Sequence, residues 1–261
     1  MTLSNKQALT ALVITYNEEH NIKALLDHLA FADEIIVVDS FSSDVTFEIA
    51  SSFKNVKVAQ RIFDNFASQR NYALSLATNS WILFIDADER LTTELEKEIS
   101  TIINEQNSVS AYFIYRTFMF QNQKLRFSGW QTDKIIRLFK KEEAYYNHEK
   151  IVHEKLIVNG AIGKLKNKLI HYSYSDYEDY KQKMILYGQL KAQEELVKKT
   201  KPQFFHFYIR PVYQFLNQYI IRLGILDGKK GIIICYLNAL SVAVRFQELK
   251  KLRSKITISK T

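Results

Sequence analysis

The strongest constraint on how this chain folds is a regular alternation, through its N-terminal part, of short unbroken apolar runs with amphipathic stretches. The runs are TALVIT (10–15), EIIVVD (34–39) and WILFI (81–85), and VKVA (56–59) reads as a further short strand. A continuous apolar run of this length is what a parallel strand buried on both faces requires. Between the runs the period is helical: Ile22, Leu25, Leu26 and Leu29 share one face, the spacing of a helix packed on a sheet. Ser42 or Ser43 is placed to cap the next helix with Asp44 in its first turn, and Phe66–Ala77 reads as a third helix. Thr92 or Thr93, followed by Glu94, Glu96 and Glu98, starts a fourth helix with acidic groups near its positive end. The order βαβαβαβα predicts an α/β fold: a mostly parallel sheet with helices on both faces. That pattern runs to about residue 104. Residues 109–139 turn aromatic and strand-like and predict antiparallel additions, and from 176 onward the period is helical. Gly188, Pro202, Pro211, Gly224 and Gly228 stand as candidate breaks in that last region.

Composition decides what such a fold is for. With 47% apolar and 25% charged residues, the 261-residue chain is neither disordered nor low-complexity. Cys235 is the single cysteine, so no intrachain disulfide and no cysteine-based zinc site can form. This fits a reducing compartment, and the N-terminus carries no apolar export core. Charge is uneven. Residues 1–175 hold 20 Lys+Arg against 21 Asp+Glu, whereas residues 176–261 hold 16 against 7, a surplus of nine. That region is also aromatic, with Phe204, Phe205, Phe207, Tyr208, Tyr213, Phe215 and Tyr219. Cations among aromatic rings suit an anionic membrane surface. Single-stranded nucleic acid and a plain solvated helical face are the competing readings. The longest uncharged C-terminal stretch, Gly231–Val244, has 14 residues, and a spanning helix needs about 20. The expectation is a region that lies on the bilayer.

Three polar groups fall at the carboxyl ends of the predicted strands, where open α/β sheets bind ligands. They are Thr15-Tyr16-Asn17-Glu18, Asp39-Ser40, and Asp86-Ala87-Asp88-Glu89. Neither a G-x-G-x-x-G nor a Walker segment is present, so a dinucleotide fold and a P-loop are excluded. Carboxylates alone repel phosphate, but Mg²⁺ or Mn²⁺ between carboxylate and diphosphate reverses this. Asp-x-Asp on an extended segment puts two side chains on one side. The triplet by itself is a common helix-start or turn motif; its place directly after an apolar strand is what favours a metal-bridged nucleotide diphosphate.

These segments resemble the family 2 glycosyltransferases, with the GT-A fold, and within them the bacterial enzymes of lipopolysaccharide core assembly. The resemblance rests on VITYNEEHNI (13–22), ADEIIVVDSFSSDVTFEIA (32–50), SQRNYALSLATNSWILFIDADERL (68–91), GWQTDKIIRLF (129–139), IVHEKL (151–156), LIHYSY (169–174) and LDGKKG (226–231). It implies inverting transfer of a sugar from a nucleotide-diphosphate donor, a UDP-sugar by preference, to a hydroxyl of a lipid-linked or cell-envelope glycan. Thr15, Tyr16, Asn17 and Glu18 are similar to the nucleoside-holding loop, and Asp39 to the carboxylate on base or ribose. Gln69, Arg70 and Asn71 match the segment near diphosphate and sugar, and Asp86 would touch ribose or sugar. Asp88 is implied as metal ligand and Glu154 as catalytic base; His171 resembles a further metal ligand, with His153 as the rival. Trp130, Asp133 and His153 lie on the acceptor side. On residues alone, Glu154 reads as readily as an exposed carboxylate, and His171 as a half-buried histidine.

The domain reading is a transferase domain over 1–175, with a donor half 1–105 and an acceptor half 106–175, followed by a basic helical region 176–261. A cytosolic enzyme peripheral to the inner membrane is the expected setting, with no nucleic-acid partner and with the oligomeric state open. A sugar nucleotidyltransferase is the alternative, although its glycine-rich, lysine-bearing N-terminal signature is missing. A non-catalytic adaptor on a transferase fold is the other.

Overall fold

The computed structural model describes residues 7–105, 108–121, 123–147, 156–174 and 176–258. It divides into two compact units: residues 1–116 with 133–171, and residues 117–132 with 172–261.

In the first unit the predicted alternation is realised as β1 (Leu9–Thr15), α1 (Glu19–His28), β2 (Glu34–Asp39), α2 (Thr46–Ser51), β3 (Val56–Gln60), α3 (Phe66–Leu76) and β4 (Trp81–Phe84). A two-residue strand β5 (Glu89–Arg90) and α4 (Thr93–Ile102) follow. Strands β3, β2, β1 and β4 lie side by side in that order, and the pairs within this group are parallel. The register sets Thr15 opposite Asp39 and Leu12 opposite Phe84, so three strand ends share one edge. The expected antiparallel additions are present: β8 (Lys134–Lys140) pairs with β4 and with β6 (Val109–Phe120). Beyond β6 come β11 (Ala161–Tyr174) and β5. Strands β9 (Ala144–Tyr146) and β10 (Leu156–Val158) make a separate hairpin pair.

Alternation along each strand feeds two cores. Ala11, Val13, Ile35, Val37, Leu83 and Ile85 face one side, where α1 and α4 contribute Leu25, Leu26, Leu95 and Ile99. Leu12, Ile36, Val38, Ile82 and Phe84 face the other, against Ala67, Ala73 and Leu74 of α3. Full burial of each large aliphatic or aromatic side chain contributes about 1.5–3 kcal/mol, so the sheet is fixed from both faces. Thr92 caps α4 as expected, its side chain accepting from the Leu95 amide at 3.2 Å. The helix after β2 differs: it begins at Thr46, and neither serine caps it. Val45 holds the cap position without a side-chain cap bond; Asp44, one residue earlier, accepts from the Thr46 amide at 3.0 Å, while Ser42 and Ser43 bond to the neighbouring loop.

In the second unit β7 (Gln123–Leu125) pairs with the end of β6, and the long helices α5 (Tyr177–Val197) and α7 (Gly228–Ile258) pack together. Phe118, Phe120, Leu125, Tyr180, Met184, Ile234 and Leu237 form one core, and Ala192, Phe246 and Leu249 another. Gly188 does not break α5. A Cβ there would lie 2.7 Å from the Ser241 carbonyl oxygen of α7, so the glycine permits close helix contact. Pro211 is also no break. It lies near the start of α6 (Arg210–Leu216), and π turns at Phe205–Ile209 and Asn217–Ile221 continue the helix on both sides. The chain does turn at Leu223 and Gly228, with φ of 60° and 61°. By length and composition Gly224–Ile256 is a helix that could cross a membrane, a property the 14-residue uncharged stretch conceals, yet 44% of its most apolar window is buried within the protein.

Candidate active site

The edge where β1 and β2 end is a dense set of loop-to-loop hydrogen bonds. Asn17 takes the left-handed conformation, φ 55°, which asparagine tolerates better than most residues. Its amide donates to Ser42 Oγ at 2.9 Å, and its side-chain oxygen accepts from the Ser43 amide at 2.8 Å. The Glu18 amide donates to Thr46 Oγ1 at 2.8 Å. Asp39 is fully buried, and its carboxylate accepts from the Ser42 amide at 3.0 Å, from Ser42 Oγ, and from Gln60 Nε2 at 3.1 Å. Gln69 joins this edge, donating to Ser40 Oγ at 3.1 Å and accepting from Arg61 Nη1 at 2.6 Å. Tyr16 stands out into solvent, 58% exposed. Thr15 Oγ1 is buried and has no hydrogen-bond partner among the described residues, which marks it as a group awaiting a ligand or water.

Behind the β4 end lies a buried ion-pair network. Asp86 accepts from Arg70 Nη2 at 2.9 Å and from Arg137 Nη2. Arg137 Nη2 also donates to Glu89 Oε1 at 2.8 Å, which Arg116 Nη1 approaches at 3.4 Å. Arg116 Nε in turn donates to Asp133 Oδ2 at 2.7 Å. Three guanidinium groups thus face three carboxylates. The Arg70 guanidinium lies 4.6 Å from the Phe84 ring centre and 5.5 Å from that of Tyr146. Burial pushes the Asp86 carboxyl upward, but Arg137 and Arg70 outweigh it and hold the group well below the usual carboxylate range. Burial likewise works against the charged form of Arg137, and Asp86 and Glu89 reverse that, raising it above its ordinary value. The Asp86 amide donates to Glu89 Oε2 at 3.1 Å, so the same network shapes the turn that carries Asp88.

Asp88 projects from that turn toward β11. The β11–β5 register sets His171 opposite Glu89, and this brings His171 Nε2 to 3.3 Å from Asp88 Oδ2, both side chains about four-fifths or more buried. A carboxylate oxygen suits Mg²⁺ or Mn²⁺, which commonly take one or two protein carboxylates and complete their shell with phosphate oxygens and water, while an imidazole nitrogen is a common ligand of transition-metal ions. Among the described residues no group of three or more His, Cys, Asp or Glu is placed to hold a metal. Asp88 and His171 are a pair of such groups at this turn.

Of the residues singled out in the sequence, Thr15, Tyr16, Asn17, Glu18, Asp39 and Gln69 come together at the first edge, and Asp86, Asp88, Arg70 and His171 at the second. Asn71 holds β9 through both its amide atoms: Nδ2 donates to the Tyr146 carbonyl at 2.7 Å, and Oδ1 accepts from the Tyr146 amide at 3.0 Å. Asp133 is the Arg116 partner. Trp130 belongs to the second unit, stacked on Phe118 with ring centres 3.9 Å apart. Glu154 and His153 lie outside the described residues. Sequence reasoning missed Arg137 and Arg116, and it placed Glu89 at the strand end without seeing its arginine partners. The available signal was the arginine inside the apolar strand KIIRLF, since a cation there needs a buried anion.

Comparison with known proteins agrees with this geometry. Residues 10–163 match the model of "Glycosyl transferase family 2". The chain is 29% identical to an uncharacterized glycosyltransferase of Rickettsia conorii, the match covering 100% of this chain and 95% of that protein. It is 23% identical to the lipopolysaccharide core biosynthesis glycosyltransferase LpsC of Rhizobium meliloti, over 92% and 93% of the two chains. Among solved structures it is similar to the mannosyltransferase PcManGT of Pyrobaculum calidifontis, determined with GDP-Man and Mn²⁺. That likeness has a TM-score of 0.55 at 16% identity and covers 94% of this chain and 87% of that one, which places the fold in the GT-A class.

Proposed function

This chain belongs to glycosyltransferase family 2, and from that premise we propose that it transfers a sugar, with inversion, from a nucleotide-diphosphate donor to a hydroxyl of a lipid-linked or cell-envelope glycan. The observation that carries this reading is the meeting of Asp88 with His171 at 3.3 Å beside the charge-balanced network of Asp86. The PcManGT complex with GDP-Man and Mn²⁺ supports a nucleotide sugar and a divalent cation acting together. LpsC supports an envelope glycan as acceptor. A uridine donor is our preference, with the exposed Tyr16 ring available to stack on a base and Asp39 to meet base or ribose.

Asp88 and His171 would hold a Mg²⁺ or Mn²⁺ ion, which when bound would offset the charge of the departing diphosphate. The chain's own residues do the rest. Thr15 Oγ1, buried and without a described partner, donates to the nucleoside. Asp86, fixed by Arg70 and Arg137, orients ribose or sugar without moving. The acceptor hydroxyl attacks the anomeric carbon; its oxygen bonds to that carbon as the bond from the carbon to the diphosphate oxygen breaks. The hydroxyl proton passes to the Glu154 carboxylate, and the nucleoside diphosphate leaves with the bonding electrons. A positioned base of this kind contributes about 10²–10⁴-fold.

The direct test is a thermal-shift screen of UDP-, GDP- and other nucleotide sugars with and without Mn²⁺, since a ligand of the native state raises the melting temperature by mass action. One nucleotide sugar should raise it only with the cation present; no shift from any of them would contradict the reading. Release of nucleoside diphosphate on turnover supports transfer, whereas release of pyrophosphate would identify a nucleotidyltransferase. Glu154→Gln should keep the donor-induced shift and lose transfer by at least two orders of magnitude, in line with the loss of a general base.

A further inference from the structure

The second unit carries a surface the proposed chemistry does not use. From Phe204 to Leu226 the chain exposes an apolar ridge, including Phe204, Tyr208, Val212, Tyr213, Ile220 and Ile221, each between 57% and 71% exposed. Phe204, Tyr208, Val212, Leu216 and Ile220 fall on a spacing of four, and all are exposed. An α-helix repeats every 3.6 residues, and the π turns on either side of α6 lengthen that repeat, so residues four apart stay aligned along one side. The other side is anchored. His206 packs on Phe246 with ring centres 4.7 Å apart, and Phe207 joins the core of Ala192, Phe246 and Leu249. A ridge of this extent on a folded unit marks an interaction surface.

Charge identifies the occupant. Residues 196–226 contain five cations, Lys198, Lys199, Lys201, Arg210 and Arg222, and no Asp or Glu. Two copies meeting through this face would oppose like charges. Nearby, the Arg210 and Arg245 guanidinium groups lie 5.2 and 5.9 Å from the Phe246 ring centre. Burial and Arg210 hold Arg245 below its ordinary value despite Glu195 and Glu194, and burial and Arg245 do the same to Lys191. The buried Arg245 Nε has no hydrogen-bond partner among the described residues. Apolar side chains, aromatic rings and surplus cations on one helical segment are the pattern of an element lying in a membrane interface.

We propose that the second unit docks on an anionic bilayer through the Phe204–Leu226 segment, whose ridge enters the headgroup boundary, and that α7 stays with the protein. Helix α7 is apolar because it is core: Ile234, Cys235, Leu237, Phe246 and Leu249 are fully buried. The docking goes beyond the transfer reaction and does not depend on which sugar is moved.

The test uses the full chain with vesicles of phosphatidylglycerol and phosphatidylethanolamine, and with neutral phosphatidylcholine vesicles. Wild type should float with the anionic vesicles, and the triple variant Tyr208→Ser, Val212→Ser, Tyr213→Ser should lose at least tenfold in partition coefficient. Ile162→Ser, an exposed apolar residue of the first unit, should bind as wild type. Because Cys235 is buried, a Val212→Cys protein can be labelled at position 212 with an environment-sensitive dye. Its emission should shift to the blue on anionic vesicles and be quenched by lipids brominated near the headgroup. Equal flotation of wild type and triple variant, or no dye response, overturns the proposal. So does a wild-type dimer that the triple variant loses while neither binds vesicles, and so does binding to a single-stranded oligonucleotide without vesicle binding. Donor-induced thermal shift should be unchanged in the triple variant, so a failure here is separable from a failure of the transfer reading.

Discussion

Arg137 is the residue on which the site's geometry depends most, because it bonds to both Asp86 and Glu89 from a fully buried position. Arg137→Leu leaves the buried Glu89 and the partly buried Asp86 without their shared cation, and breaking a buried pair in this way costs about 3–5 kcal/mol. Urea denaturation should show a loss of that size, whereas a change under about 1 kcal/mol, the scale of an exposed pair, would place the network in solvent. Glu34 offers a pH test at the opposite end of the sheet. Burial pushes its carboxyl up, but Lys57, Thr78 and Thr10 together bring it down to about 2. A depressed pKa stabilises the fold above the unfolded value and loses that stabilisation as pH falls through the folded one. Wild type should therefore lose about 2–3 kcal/mol relative to Glu34→Gln between roughly pH 5 and pH 2. Parallel pH profiles for the two proteins would remove Glu34 from that role. Asp39, Asp86 and Asp88 were legible in the sequence because each follows an apolar run at a strand end. Arg116 and Arg137 were not, because a guanidinium inside a strand becomes meaningful only when the partner strand and its carboxylates are known.

At the scale of elements, local rules served well where the chain decides its own conformation. The four parallel strands and the Thr92 cap emerged as expected, and so did the antiparallel turn of the sheet after residue 109. They failed where a neighbour decides. Gly188 looks like a helix break until α7 is placed against it, 2.7 Å from where a Cβ would sit. Gly188→Ala should therefore destabilise the second unit by about 1–3 kcal/mol, the scale of overpacking, even though alanine is the better helix former. Circular dichroism melting checks this; a stabilised variant would mean that α5 and α7 separate readily. The serines after β2 were misassigned as caps for a related reason. The Asn17 loop engages both of them, and the helix starts beyond them at Thr46, whose amide donates to Asp44.

At the scale of the whole molecule, charge differs between its parts. The residues of the β1–β2 edge and the ion-pair network belong to the first unit, while the cationic surplus lies in residues 176–261. That separation was visible in the sequence as arithmetic. The π-turned apolar ridge was not, since an aromatic residue in a helical period reads the same whether it faces a core or solvent. The central claim is that Asp88, with His171, lets this acid-lined edge hold a nucleotide diphosphate through a divalent cation. Isothermal calorimetry of nucleotide-sugar binding to wild type and to Asp88→Ala, each with Mn²⁺ and with chelator, tests it most directly. Wild type should bind at least tenfold more tightly with Mn²⁺, and Asp88→Ala should bind equally weakly in both conditions. Undiminished, cation-dependent affinity in Asp88→Ala would contradict the account.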